Sequence, residues 1–120
     1  MKIAFTTGAD SLAGPLDSRF GRAPRFLIYD DEKGSVEAID NKQNLNAAQG
    51  AGIQSAINLA KQKVDCVVTG HCGPKAFQVL DAAGIKIYNC KVETIAEAYE
   101  LLKSGELTAA ESANAESHWV

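Results

Sequence analysis

Three short, nearly continuous apolar runs, residues 2–7, 64–69 and 85–90, alternate along this 120-residue chain with stretches whose apolar residues recur every three to four positions. Apolar runs of four to eight residues bounded by glycine or polar residues read as strands buried on both faces, and such strands belong to parallel sheets covered by helices. Gly8 closes the first run and Gly70 the second. Ile53, Ala56, Ile57 and Ala60 fall at i, i+3, i+4 and i+7, which predicts a helix with that face turned inward. Pro74 suits a first helical position, Phe77, Leu80 and Ala83 give that helix its inward stripe, and Gly84 ends it. Ile95, Tyr99 and Leu102 stripe a last helix, opened by Glu93 or Thr94 and stopped by Gly105.

Residues 25–30 and 35–40 flank the turn-forming cluster Asp31-Glu32-Lys33-Gly34 and predict an antiparallel hairpin. The order strand, hairpin, helix, strand, helix, strand, helix, with right-handed crossovers, gives an α/β chain. Its expected form is a three-layer α/β/α domain on a five-stranded mixed sheet with one antiparallel strand. Residues 41–49 are a predicted polar loop and residues 8–24 a longer one, and loops as long as the latter inside a compact domain tend to carry function. One domain is expected over residues 1–108, followed by a mobile tail over 109–120. With 46% hydrophobic and 22% charged residues the chain has the makings of a core, so wholesale disorder is excluded. A net charge of −3 removes the usual basis for tight nucleic-acid binding. No apolar run reaches the roughly 20 residues that span a bilayer, and the chain enters a strand pattern at once instead of a signal peptide. A cytoplasmic monomer is expected, with neither nucleic acid nor membrane as partner.

In open α/β sheets ligands bind beyond the carboxyl ends of the parallel strands. Thr6-Thr7-Gly8, Gly70-His71-Cys72-Gly73 and Asn89-Cys90 are expected at that edge, so His71, Cys72 and Cys90 should share one rim. Cys72 precedes a predicted helix N-terminus, whose free N–H groups and dipole would favour a thiolate and make it a soft metal ligand. The plainer reading is a small turn residue. His71 could ligate beside it or simply be solvated, and Gly70 and Gly73 would let the backbone approach a ligand closely. Cys66 sits within a strand expected to be buried on both faces and reads as core. The three cysteines include no Cys-x-x-Cys pair, which argues against an all-protein metal cage, so a metal would arrive with its own ligands. Gly50-Ala51-Gly52-Ile53-Gln54-Ser55 follows a polar loop and lacks the third glycine of a dinucleotide fingerprint. It reads as a flexible helix start able to approach a bound group. Arg19-Phe20-Gly21-Arg22-Ala23-Pro24-Arg25 interleaves cations with an aromatic and a glycine, which suits an anionic partner, or else a solvated charged loop.

These segments, Arg19 to Pro24, Gly50-Ala51-Gly52, and Thr69-Gly70-His71-Cys72-Gly73-Pro74-Lys75-Ala76-Phe77, carry a resemblance. Their order and content resemble the Phe-Gly-Arg-Ala-Pro, Gly-Ala-Gly and Thr-Gly-x-x-Gly-Pro-x-Ala-Phe blocks of the dinitrogenase iron-molybdenum cofactor biosynthesis family. The similarity runs from Lys2 to about Leu107. It implies a ribonuclease H-like fold and a non-enzymatic carrier of a molybdenum-containing metal-sulfide cluster, of molybdenum-copper or iron-molybdenum type, bound without a covalent link. It further implies assembly or acceptor proteins as partners. Many nitrogenase-type members carry histidine where this chain has Arg19. On this reading Arg19, Phe20, Gly21, Arg22, Gly50, Gly52, Gly70, His71, Cys72 and Gly73 surround the cluster, with Cys72 and His71 as candidate metal contacts. Two alternatives differ in kind. A ribonuclease H-like hydrolase would need clustered carboxylates, and a regulatory or scaffold protein would keep only a vestigial site.

Overall fold

A computed structural model describes residues 1–41 and 51–113. The hairpin strands β2 (Arg25–Asp30) and β3 (Ser35–Asp40) follow β1 (Lys2–Thr7), and after them come α1 (Ala51–Ala60), β4 (Cys66–Thr69), α2 (Pro74–Ala82), β5 (Lys86–Asn89) and α3 (Ile95–Lys103). The sheet runs β3-β2-β1-β4-β5. β1 pairs parallel with β4 and β4 with β5, while β2 pairs antiparallel with both β1 and β3, so β2 alone runs against the other four strands. Gly34, with φ +70°, makes the hairpin turn, a conformation that costs an L residue with a side chain.

The pleat divides the core into two layers. Ala4, Phe26, Ile28, Val67 and Ile87 face one side, where they pack with Ala56 and Leu59 of α1 and Ala76 and Leu80 of α2. Ile3, Phe5, Leu27, Cys66 and Val68 face the other side, against Ile95 and Ala98 of α3. Helices therefore cover both faces, as the alternating pattern requires. Cys66 lies in the core, as expected, and its thiol is pushed up to about 12 by burial.

The structure corrects several expectations of detail. The inward face of α1 is Gly52, Ser55, Ala56 and Leu59, whereas Ile57 is 37% exposed and Ile53 and Ala60 are half-buried. Small residues on the inner face let α1 seat close to α2 and the sheet, and Ser55 is drawn inward by a hydrogen bond to Asn41. Ala83 is exposed, because α2 is already ending there and Gly84 turns the chain at φ +76°. Within the expected tail, Ala109 bridges Tyr88 and the Ala110 N–H donates to the Ile87 carbonyl at 2.7 Å, so the chain stays on the free edge of β5 at that point. Residues 114–120 of that tail, most of the expected loop 41–49, and Gly50 lie outside the described residues. Among the described residues no helix is long and apolar enough to cross a membrane.

Candidate functional site

The carboxyl ends of β1, β4 and β5 are tied together by side chains that hydropathy patterning passes over. Thr6, Thr7 and Thr69 are fully buried. The Thr6 hydroxyl lies 2.7 Å from the Asp17 carbonyl and 2.9 Å from the Thr69 hydroxyl. A hydroxyl has one hydrogen, so Thr6 donates to Asp17 and accepts from Thr69, which links the two parallel strands to the long loop. Thr7 donates to the Pro15 carbonyl at 2.6 Å and accepts from the Ala9 N–H at 3.0 Å. From β5, the Asn89 amide donates to the Gly70 carbonyl at 3.3 Å. Threonines ending two strands, each just before a glycine, were the available signal. Their place at the sheet edge was expected from the strand pattern; the hydrogen bonds that tie them to the loop were not.

That scaffold seats the loop of residues 8–24 against the turn after β4. The Asp17 N–H donates to the Thr6 carbonyl at 2.7 Å, the His71 N–H to the Ser18 carbonyl at 2.7 Å, and the Phe20 N–H to the His71 carbonyl at 3.0 Å. Arg19 and His71 thereby form an isolated parallel bridge, which joins the first and third sequence blocks side by side. The space at Gly70 explains that glycine. A Cβ there would meet the Ser18 carbonyl oxygen at 2.7 Å and the Ser18 Cα at 2.8 Å, so the close approach served is that of the protein's own loop.

The predicted site residues divide accordingly. Arg19 extends from the rim with its side chain 52% exposed, its Nε 3.9 Å from the Asp17 carboxylate and its backbone N–H 2.9 Å from the same oxygen. Arg22 and His71 are half-buried. Gly73 supplies the N-cap of α2 in an extended conformation, φ −75° and ψ 170°. Gly21 is buried in the loop and Gly52 in the first turn of α1. Phe20 departs from its expected role: it is fully buried, its ring 5.4 Å from that of Phe26, and it anchors the loop in the core instead of lining the rim.

Burial revises the rim expectation for Cys72 and Cys90, while Cys66 is core as expected. Cys72 is 1% exposed, packed in the layer beneath α1 and α2, and its Sγ lies 3.7 Å from the Gly73 carbonyl. Burial pushes its thiol up to about 12, opposite to the lowering expected from a helix N-terminus. Taking the sulfur out of water disfavours the thiolate. Nor do the cysteines share one rim. Cys90 is buried in the layer beneath α3, on the other face of the sheet, where burial and then the nearby Glu97 charge raise its thiol. Among the described residues no group of three or more His, Cys, Asp and Glu could hold a metal ion.

The helix N-termini are not equivalent. The start of α3 is closed: Thr94 accepts from the Glu97 N–H at 3.2 Å, the Ile95 N–H donates to the Gly14 carbonyl at 3.0 Å, and the Ala96 N–H donates to the Leu12 carbonyl at 2.9 Å. At α2, Gly73 brings no side chain to cap the helix, Pro74 has no N–H, and no acidic residue occupies the first turn. The N-cap lies two residues after His71 of the Arg19–His71 bridge, and an uncapped start of this kind carries a partial positive charge. An uncapped N-terminus flanked by arginine favours an anion.

Comparison with known proteins gives one family match and several similar chains. Residues 1–105 match the family model described as dinitrogenase iron-molybdenum cofactor. The apo form of the orange protein of Desulfovibrio gigas superposes with a TM-score of 0.91 at 37% identity, covering 95% of this chain and 96% of that one. A Thermotoga protein provisionally assigned as NifB superposes with a TM-score of 0.82 at 30% identity, over 96% of this chain and 97% of that one. A Methanocaldococcus jannaschii protein without an assigned function is 32% identical over 110 residues, 89% of each chain.

Proposed function

Because this chain belongs to the dinitrogenase iron-molybdenum cofactor family, we propose that it is a non-enzymatic carrier that holds an anionic, molybdenum-containing metal-sulfide cluster. The observation that carries the reading is the juxtaposition of the Arg19–His71 bridge with the uncapped N-terminus of α2. The donors available there are N–H groups and guanidinium groups. They suit a preassembled cluster whose surface sulfurs carry negative charge, gripped from outside by hydrogen bonds. The orange protein, similar to this chain in fold and sequence and solved in an apo form, supports the reading.

On this reading Arg19 and Arg22 neutralise the cargo, the α2 N-terminus and Gly73 donate to it, and His71 contacts a sulfur or metal at its edge. Gly21, Gly50 and Gly52 allow the backbone to approach it. The buried Cys72 supports the turn from beneath. The molybdenum-copper and iron-molybdenum types fit the same donors, and holding followed by hand-over to an assembly or acceptor protein requires no bond chemistry from the chain. The sheet order β3-β2-β1-β4-β5 with β2 reversed supports reading the fold as a ribonuclease H-like arrangement used as a platform. The hydrolytic alternative has little to stand on, since β1 ends in Thr6 and Thr7, whose hydroxyls are engaged with loop carbonyls.

The test is anaerobic titration of the metal-free protein with tetrathiomolybdate, with and without copper(I), followed by gel filtration, metal analysis and visible absorption. A saturable, protein-bound charge-transfer chromophore is expected, weakened at least tenfold by the double substitution Arg19→Ala/Arg22→Ala. Failure of every combination to remain with the wild-type protein would sink the carrier reading.

A further inference from the structure

Asn41 and Ser55 are fully buried polar residues. Asn41 follows β3 and Ser55 lies one turn into α1. The Asn41 amide nitrogen donates to the Ala23 carbonyl at 2.9 Å and lies 2.9 Å from the Ser55 hydroxyl, which in turn lies 3.3 Å from the Asn41 side-chain oxygen. The Asn41 backbone N–H donates to the Pro24 carbonyl at 2.7 Å. Three segments distant in sequence thus meet at one buried point: the end of β3, the turn that bears Arg22, and the first half of α1.

We infer that Asn41 and Ser55 are positioning residues that set the spacing between the Arg22 turn and the N-terminus of α1, and so shape the site for its anionic cargo. The inference rests on the carrier reading above. Core packing alone does not call for this pair. A position facing α2 and the sheet would be filled more simply by alanine or leucine, as at Ala56 and Leu59 of the same helix face. Buried polar groups cost free energy unless satisfied, and when satisfied they specify one geometry instead of a range of packings. Here both carbonyls that Asn41 engages, Ala23 and Pro24, are the two that follow Arg22 directly. The amide therefore holds the loop by its backbone, whatever the arginine side chain contacts. Through Ser55 the same amide holds the helix that begins at Ala51 and Gly52. Neither residue needs to touch the cargo.

The experiment uses the full chain, with tetrathiomolybdate as the probe. Affinity is read by anaerobic titration, and the orientation of the bound anion by the induced circular dichroism of its charge-transfer band at saturation. Ser55→Ala, which keeps the helix, and Asn41→Asp, which removes the amide donor, are each expected to weaken binding about tenfold and to change the induced signal per bound anion. Ala98→Gly in α3 loosens the opposite core layer and serves as the comparison for lost stability. It is expected to leave both readouts unchanged. Wild-type binding accompanied by unchanged affinity and signal in Ser55→Ala and Asn41→Asp, or by equal losses in Ala98→Gly, overturns the positioning role alone. If the wild-type protein binds no probe, the carrier reading fails and this inference falls with it.

Discussion

At the residue scale, Gly70 and Cys72 show how neighbours in one turn are constrained for different reasons. Gly70 has no room for a side chain, because Ser18 passes within 2.7 Å of where a Cβ would stand. Gly70→Ala must push back the loop that carries Arg19, and overpacking of this kind costs about 1–3 kcal/mol. A drop of several degrees in melting temperature together with weaker tetrathiomolybdate binding is the expected outcome, and unaltered values of both would show the loop to be free to retreat. Cys72 behaves as a small core residue whose thiol burial keeps protonated. Alkylation of the native protein by iodoacetamide at neutral pH should therefore leave Cys72 unmodified until denaturant is added, as peptide mapping would reveal. Cys72→Ala should retain probe binding within about threefold, whereas direct ligation by the thiol would abolish it.

At the scale of the elements, α2 and α3 are similar in length and differ in how they begin. α3 is closed by Thr94 and by loop carbonyls, while α2 begins at Gly73-Pro74 with no side-chain cap. Losing an N-cap hydroxyl costs about 1 kcal/mol. Thr94→Ala should lower stability by roughly that amount in urea unfolding and leave probe affinity unchanged. Placing an acid at the open terminus acts the other way. Gly73→Asp, whose extended backbone any residue can adopt, should supply the missing cap and raise stability by a few tenths of a kcal/mol to about 1 kcal/mol. On the proposed carrier reading the same carboxylate competes with the anion, so tetrathiomolybdate binding should fall at least tenfold. A variant that is stabilised and still binds fully would remove the α2 N-terminus from the site.

For the whole molecule, buried thiols in opposite core layers, Cys66 and Cys72 foremost, couple stability to alkaline pH. Cys66 and Cys72 are both raised from the usual 9.0 to about 12, so the fold favours their protonated forms. That contribution is complete below about pH 9. It is lost as pH climbs towards 12, because the unfolded chain releases the protons while the folded chain retains them. Urea midpoints should decline steadily above pH 9, and less steeply in Cys66→Ala/Cys72→Ala. An identical slope in that double variant would assign the alkaline loss to other groups.

The order and nature of the elements were legible in the sequence because burial on both faces leaves a local trace. Continuous apolar runs such as 64–69, the Asp31 to Gly34 turn cluster and the punctuating Gly84 and Gly105 each determine structure within a few residues. The three site blocks were equally readable as motifs. What those blocks do was decided only by tertiary structure, since that depends on which distant backbone meets them. Ser18 turns Gly70 into a contact point between loops, and Asn41 draws Ser55 inward and rotates the buried face of α1 away from Ile57. The layer beneath α1 and α2 takes Cys72 out of water, where its local place before a helix had suggested a thiolate. Spacing along the chain sets which face a residue can occupy. Desolvation and hydrogen bonding across the chain set the chemistry it has there.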